Sequence, residues 1–318
     1  MVSIVFNAQT IELTTTTPLS STTTAGGNST HVGAIAGYKS TGDQNSFFGY
    51  QSGVNNTIGG HNVFLGSKSG ISNVSGGRNV FVGRGTGFKN SSGNFNVYIG
   101  NNSAYNSTTA SFNTFIGALS GVSARGNENV MLGYYSGSSN NSLLGKNTFL
   151  GAYSGQNNTG ENNVFIGYKS GQSMSGSNKL VIANSNTTSP IIYGEFDNEK
   201  LLFNATVGIG TSNFVDSTYR LYVKDGIRTE KVKVDIAAEN GWADYVFEKD
   251  YQLDSLEEVE KFIKENGHLK NIPSAEEVVE NGVELAEMNK LLLQKIEELT
   301  LYTIQLKKEI EVLKDKVD

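Results

Sequence analysis

The sequence predicts a mainly β protein built on a parallel β-solenoid, because one short motif recurs with a fixed period. Residues 62–70 read NVFLGSKSG, residues 79–87 read NVFVGRGTG and residues 147–155 read NTFLGAYSG. The Asn that opens each copy recurs every 16 to 18 residues, a spacing typical of a solenoid. Gly and β-branched residues in every copy oppose a helix. The eight recurring residues are Asn45, Asn62, Asn79, Asn96, Asn113, Asn129, Asn147 and Asn163.

Each copy predicts one coil, with a three-residue strand after the Asn and a Gly that closes it. Equivalent positions of stacked parallel strands lie about 4.8 Å apart, so the Asn side chains are expected to form an amide ladder. The Gly residues supply the positive φ that a tight corner needs. Degenerate copies at residues 33–40 (GAIAGYKS) and from Asn178 onward extend the array at both ends.

The three strand positions are apolar on both faces, which predicts either a flattened coil that is covered on both faces or contact with other chains, and contact with other chains is favoured. Position 1 is mostly Val or Thr, position 2 is mostly aromatic and position 3 is almost always aliphatic. Side chains alternate along a strand, so positions 1 and 3 share one face and position 2 takes the other. A ladder of exposed aromatic residues would be a large apolar patch, so we expect it to be covered by partner chains. The predicted trimer-interface residues of this ladder are Phe64, Phe81, Tyr98, Phe115, Phe149 and Phe165.

Charge divides the chain into two parts. Residues 1–185 carry 9 Lys+Arg and 4 Asp+Glu, a net +5, whereas residues 186–318 carry 16 and 27, a net −11. This shift indicates a domain boundary. The predicted domains are an N-terminal segment, the solenoid head, a β neck, a small α+β module and a coiled coil, and they span residues 1–30, 31–185, 186–226, 227–283 and 284–318.

The first residues, MVSIVFNAQT, have two interpretations. They resemble the last turns of a secretory signal peptide whose start has been clipped. The alternative is a short β-strand at a domain edge. The first interpretation, together with a fibre-like architecture, favours an extracellular or cell-surface location.

The acidic part combines short predicted strands with helices. IRTEKVKVDI (227–236) and ADYVF (243–247) alternate like strands. Ser255 with Glu258, and Ser274 with Glu277, form the spacing of helix capping boxes, and Gly267 is a helix stop. These elements predict a compact α+β module.

A long helix is predicted from about Gly282 to the end, with apolar residues at the a and d positions of about five heptads. Such a pattern predicts a coiled coil, in which a polar Asn at one a position fixes the register. Ile at a with Leu at d favours dimers in simple peptides. The family resemblance of the repeats, given in the next paragraph, implies three chains instead, so we expect a homotrimer. The predicted interface residues of this helix are Leu285, Asn289, Leu292, Ile296, Leu299, Leu306, Ile310 and Leu313.

The repeats resemble the head repeats of trimeric autotransporter adhesins, whose signature is Asn-Ser-Val-Ala-Ile-Gly. The resemblance covers roughly residues 31–185 and implies three left-handed parallel β-rolls packed around an axis. This sequence departs from the family in its aromatic middle position and in a period of about 17 residues.

A second resemblance covers the C-terminal part, on VGIGT (207–211), LYVKDGIRTEKVKV (221–234) and the segment from NIPSAEEVVENG to KKEIE (271–311). These stretches are similar to the C-termini of tail-fibre-like proteins of Bacteroidetes-type bacteria and their phages. They are distantly similar to the endosialidase-type intramolecular chaperone, which assembles trimeric fibres. That family cleaves itself before a Ser at the domain start. Because this chain has no Ser between Ser217 and Ser255, the resemblance implies a permanent trimerisation cap.

Composition and motif spacing favour a non-enzymatic protein without a cofactor. The absence of Cys excludes a thiol nucleophile and thiolate metal sites, and the three His residues do not have metal-ligand spacing. Residues 31–185 hold three acids, Asp43, Glu128 and Glu161, too few and too scattered for a catalytic pair. A glycan-active solenoid enzyme remains the least favoured alternative. The slight basic excess does not favour nucleic acid, and no apolar stretch predicts membrane insertion.

Polar and aromatic residues at the corners after the strands are the candidate binding residues, because a rigid array suits weak multivalent contacts with glycans. They are Tyr50, Lys68, Tyr134, Tyr135, Tyr153, Tyr168 and Lys169. The sequence thus predicts a fibre or adhesin that contacts a glycan or a cell-surface receptor. The alternative is a tail fibre of a phage or of a phage-like contractile injection system, held by an anchoring or baseplate protein.

Overall fold

The computed structural model of the 318-residue chain describes residues 27–138, 145–214, 216–235 and 242–316. The chain forms two compact units, Met1–Asp225 and Gly226–Asp318, and each is described by itself. Most of the predicted N-terminal segment, with both of its interpretations, lies outside the described residues. Thr30, at the end of that segment, begins the first strand.

The first unit contains a parallel β-solenoid of about 11 turns, so the predicted solenoid is confirmed. Ten strands of three or four residues stack in chain order and pair in parallel. Equivalent positions pair directly, for example Phe64 with Phe81. The strands are β1 (Thr30–Val32), β2 (Ser46–Phe48), β3 (Val63–Leu65), β4 (Val80–Val82), β5 (Val97–Ile99), β6 (Thr114–Ile116), β7 (Val130–Leu132), β8 (Thr148–Leu150), β9 (Val164–Ile166) and β10 (Lys179–Ile182).

Four more strands follow the solenoid in the first unit. β11 (Ile192–Glu195) and β12 (Lys200–Phe203) continue the same sheet in antiparallel pairing. β13 (Val207–Ile209) and β14 (Leu221–Val223) form a separate parallel pair.

The aromatic residues at strand position 2 form the core of each coil. Six phenylalanines, Tyr98 and Met131 are fully buried within the single chain. Consecutive rings stack with centroids 4.8 to 5.0 Å apart, which is close to the spacing between neighbouring parallel strands. Each ring therefore packs against the rings of adjacent coils and needs no partner chain to leave water.

The predicted position of the aromatic ladder at a trimer interface is therefore wrong. The residues concerned are Phe64, Phe81, Tyr98, Phe115, Phe149 and Phe165, all of which lie inside the coils. Positions 1 and 3 point outward instead, as the exposed Val63 and Leu65 show. The narrow coil interior takes one large flat side chain per turn, and the aliphatic residues are left on the outside.

The recurring Asn residues form the predicted amide ladder. The backbone N–H of Asn79 donates to Oδ1 of Asn62 over 3.0 Å, and its side-chain amide donates to the carbonyl of Gly93 over 2.8 Å. In the same way, the backbone N–H of Asn96 donates to Oδ1 of Asn79, and that of Asn113 donates to Oδ1 of Asn96. Each buried amide thus satisfies polar groups of its own and a neighbouring coil, which buried polar atoms require.

Two Gly positions per coil are dictated by space as well as by backbone conformation. At Gly83, with φ +133°, a Cβ would lie 2.6 Å from the carbonyl oxygen of Gly100 in the next coil. At Gly87, with φ +57°, a Cβ would lie 2.6 Å from the ring of Phe81. The first Gly lets neighbouring coils approach closely, and the second makes room for the core ring.

The second unit is helical in the residues that the structure describes. α1 (Leu256–Asn266) and α2 (Ala275–Asn281) begin at the predicted capping boxes of Ser255 and Ser274, and Gly267 ends α1 in the left-handed conformation. α3 spans Leu285–Lys314 and confirms the predicted long helix.

The predicted strands of this second unit are not present in the residues that the structure describes. Ala243–Phe247 is a 3₁₀ helix, because Ala243 and Val246, three residues apart, are both buried. Residues 227–235 form no strand, and Ile227, Val232 and Val234 are exposed. Within its described residues this unit is therefore not an α+β module.

Candidate functional site

The predicted corner residues of three consecutive coils meet in one surface cluster. The segment after β7 supplies Tyr134 and Tyr135, the segment after β8 supplies Tyr153, and the segment after β9 supplies Tyr168 and Lys169. Parallel stacking places these five residues, called the tyrosine cluster below, in neighbouring coils. The backbone bond from the Tyr153 N–H to the Tyr134 carbonyl, at 2.8 Å, fixes this register.

The rings of the tyrosine cluster contact one another in mixed orientations. Tyr134 meets Tyr135 and Tyr153 edge to face, with centroids 4.6 and 5.4 Å apart. Tyr135 and Tyr153 are parallel at 5.7 Å, and Tyr168 meets Tyr153 edge to face at 6.1 Å. Such arrangements suit the charge distribution of aromatic rings and hold the rings in place. Because Tyr134 and Tyr168 stay about half exposed, part of this aromatic surface is open to a ligand.

Lys169 adds a positive charge to the cluster. Its ammonium nitrogen lies 5.1 Å from the ring centroid of Tyr168 and 5.8 Å from that of Tyr153, which is cation–π range. Lost solvation raises the pKa of the Tyr134 hydroxyl, and the neighbouring Tyr153 and Tyr135 raise it further through their charge and through hydrogen bonds. That hydroxyl therefore stays protonated at neutral pH.

Tyr50 and Lys68 occupy equivalent corners near the other end of the solenoid. The backbone N–H of Lys68 donates to the carbonyl of Tyr50 over 2.7 Å, so these two residues are neighbours. β4, β5 and β6 lie between the Lys68 coil and the coil of Tyr134, so the structure does not bring the two groups together. Their role in binding, like that of the cluster, stays a prediction.

A second aromatic column, not predicted from the sequence, lies on the residues that precede the strands. Phe95 and Phe112 are exposed and stack with centroids 5.1 Å apart, and the Arg78 guanidinium lies 5.1 Å from the Phe95 centroid. All three have φ between +56° and +60°. A comparison of the residues just before each recurring Asn would have revealed two aromatic residues in an otherwise mostly polar row.

The outward side chains of strand positions 1 and 3 form an apolar surface, called the outer sheet face below. Val63, Leu65, Ile116, Leu132 and Ile166 are among its exposed members. In the described residues, the main contacts of β3 to β8 with other elements are those with the neighbouring strands. An exposed apolar surface of this kind is a candidate interaction site.

Helix α3 has two different faces. On one, Gln294 accepts a 2.8 Å hydrogen bond from the Tyr245 hydroxyl, and the Tyr302 hydroxyl donates to the Asp254 carbonyl over 2.6 Å. On the other, the predicted apolar heptad residues are 47% to 63% exposed, and Asn289 is exposed as well. The exposed heptad residues are Leu285, Leu292, Ile296, Leu299, Leu306, Ile310 and Leu313.

Helices α1 and α3 enclose an open apolar groove of about 710 Å³. Its walls include Val259 and Phe262 of α1 and Leu292, Ile296 and Leu299 of α3. Three of these are heptad residues, so the groove is continuous with the exposed stripe of α3.

Neither a metal site nor a membrane span is found within the described residues. They contain no group of three or more His, Cys, Asp or Glu placed to hold a metal ion. Of the helices described, none is long and apolar enough to cross a membrane.

No family model, curated protein or solved structure matches this chain.

Proposed function

We propose that the protein is a non-enzymatic homotrimeric fibre that projects from a surface and makes multivalent contacts with glycans or other cell-surface targets. The observation that carries the proposal is the exposed heptad stripe of α3. The helix already uses its opposite face within its own chain, so the stripe is free for other copies. About five heptads of Leu and Ile at a and d positions suit a coiled coil.

The outer sheet face supports association along the solenoid as well. Its aliphatic residues, and not the aromatic ladder, are the apolar residues left outside each coil. They are therefore the proposed contacts between chains. Three chains that pack these faces together would cover the surface and align equivalent coils.

The segment between the solenoid and the helices also favours association. Both faces of β12 are apolar, and Leu201, Leu202 and Phe203 are each about half exposed. Ile209 and Leu221 of the β13–β14 pair are similarly exposed. A single chain leaves this apolar surface in water, whereas intertwined copies would bury it.

The proposal places the target-binding surface at the corners of the solenoid. A trimer would carry three copies of the tyrosine cluster, so the overall affinity for a multivalent target would exceed that of a single weak contact. The proposed location is extracellular or at the cell surface. The alternative is a tail fibre of a phage or phage-like injection system, which the C-terminal resemblance favours.

A trifunctional thiol crosslinker tests the trimer on single-Cys variants, because the native chain contains no Cys. Leu299→Cys places the thiol on the exposed heptad stripe, and Lys308→Cys places it outside that stripe as the matched control. We expect rapid crosslinking of three chains at position 299 and little at position 308. A product limited to two chains, or equal slow crosslinking at both positions, would contradict the proposed trimer.

A further inference from the structure

The charge around the tyrosine cluster is positive and unbalanced. Within the described residues no carboxylate lies within 4.0 Å of the Lys169 ammonium group, whereas Lys179 pairs with Glu195 at 3.2 Å. The only acids in residues 31–185 are Asp43, Glu128 and Glu161. All three precede strands, whereas the residues of the cluster follow strands.

The cluster also offers the contacts that a sugar ring needs. The exposed parts of Tyr134 and Tyr168 are apolar surfaces for the C–H groups of a pyranose, and the tyrosine hydroxyls can donate or accept hydrogen bonds. The mutual ring contacts hold these groups in place before a ligand arrives, which lowers the entropy cost of binding.

We propose that the tyrosine cluster binds anionic saccharides, with a carboxylate or sulfate of the sugar paired to Lys169 and the sugar ring against Tyr134 and Tyr168. This inference rests on the proposed glycan-contacting function and names the ligand class of its site. Lys169 supplies the only charge in the cluster, so it discriminates between anionic and neutral sugars. The tyrosines contribute similarly to both.

Lys146 provides a control for Lys169. It is exposed and precedes β8, whereas the cluster follows the strands, and the two lysines have similar backbone φ values of +62° and +55°. Lys146 makes no ring contact of the kind that Lys169 makes with Tyr153 and Tyr168 in the described residues. Lys146→Gln and Lys169→Gln therefore remove the same charge from backbones of similar conformation, and only the second change alters the cluster.

The experiment measures binding of the full chain to immobilised oligosaccharides of three kinds: sulfated heparin fragments, carboxylated oligogalacturonate and neutral maltohexaose. We expect the two anionic probes to bind more tightly than the neutral one, and more weakly as salt rises. Lys169→Gln should lower the affinity for at least one anionic probe about fivefold, in line with an exposed ion pair, and leave the neutral probe unchanged. Lys146→Gln should match the unaltered protein with all three probes. Thermal unfolding of each variant checks that the fold is intact.

The two anionic probes separate sulfate recognition from carboxylate recognition. Equal affinity for neutral and anionic probes, or equal effects of the two lysine substitutions, would overturn the anionic ligand class and leave a neutral-glycan fibre intact. Binding of no probe by a correctly assembled trimer would overturn this inference together with the proposed glycan contact.

Discussion

Substitutions on the two faces of the solenoid sheet should have opposite consequences. Phe81 is fully buried and stacks on Phe64 at 4.8 Å and on Tyr98 at 4.9 Å. Truncation of such a buried ring costs about 3–5 kcal/mol, because apolar contacts are lost and a cavity remains. Phe81→Ala should therefore lower the stability of the solenoid itself.

Ile116 lies on the outer sheet face and is 38% exposed in the single chain. Full burial of an Ile side chain is worth roughly 1.5–3 kcal/mol, so covering the remaining exposed fraction contributes about 1 kcal/mol per chain. Three chains would lose about 3 kcal/mol on Ile116→Ser, which is a decrease of roughly a hundredfold in the association constant. Ile116→Val keeps the apolar surface and is the matched control.

Chemical denaturation followed by circular dichroism measures the stability of each variant, and sedimentation equilibrium measures association. We expect Phe81→Ala to reduce stability and Ile116→Ser to reduce association. The reverse pattern, with Phe81→Ala dissociating folded chains and Ile116→Ser unfolding them, would refute the assignment of inner and outer faces.

Three further substitutions test local features of the structure. Gly83→Ala should destabilise the solenoid by roughly 1–3 kcal/mol in denaturant unfolding, because its Cβ would meet the Gly100 carbonyl and φ is +133°. Lys146→Asn should raise the stability by about 1 kcal/mol in the same assay, since φ at this position is +62°, a conformation that Asn adopts readily. Hydrogen bonds from Asn198, Tyr193 and Lys179 lower the pKa of Glu195 from its usual 4.5 to about 2. The stabilisation from Glu195 is therefore present above about pH 4.5 and lost as the pH falls towards 2. Over that range the stability of Glu195→Gln should fall less than that of the unaltered protein. An equal fall in stability of both proteins would contradict this expectation.

Periodic and local patterns predicted much of the fold. The Asn spacing located the coils because every repeat makes the same bonds to its neighbours, and Asn79 shows them directly. The capping boxes at Ser255 and Ser274 located two helix starts because all of their partners lie within three residues.

Features that depend on the cross-section of a coil were not available from the sequence. Alternation showed that Phe81 and Val82 lie on opposite faces, but both are apolar, so hydrophobicity did not identify the inner face. The short segment at Ala243–Phe247 alternates like a strand, yet its buried residues follow a three-residue period. A β-strand needs a neighbouring strand to pair with, and the described residues of this unit contain none. The predicted strand was wrong for that reason.

The candidate site could be predicted only as a set of corner positions. The sequence placed Tyr50 and Tyr134 in the same class, because both directly follow a strand Gly. In the structure Tyr50 and Tyr134 lie several coils apart. Tyr134, Tyr153 and Tyr168 meet because their coils are adjacent. The ring orientations and the position of the Lys169 ammonium group depend on side-chain packing, which has no periodic pattern.

Sedimentation equilibrium of the full chain at micromolar concentration measures whether three copies of this chain form one assembly. We expect a single species of three times the chain mass of 34.2 kDa. Leu299→Asp should shift that species towards smaller masses, because it introduces a charge into the heptad stripe. A stable species of 34.2 kDa for the unaltered protein would show that the chain does not form the proposed trimer.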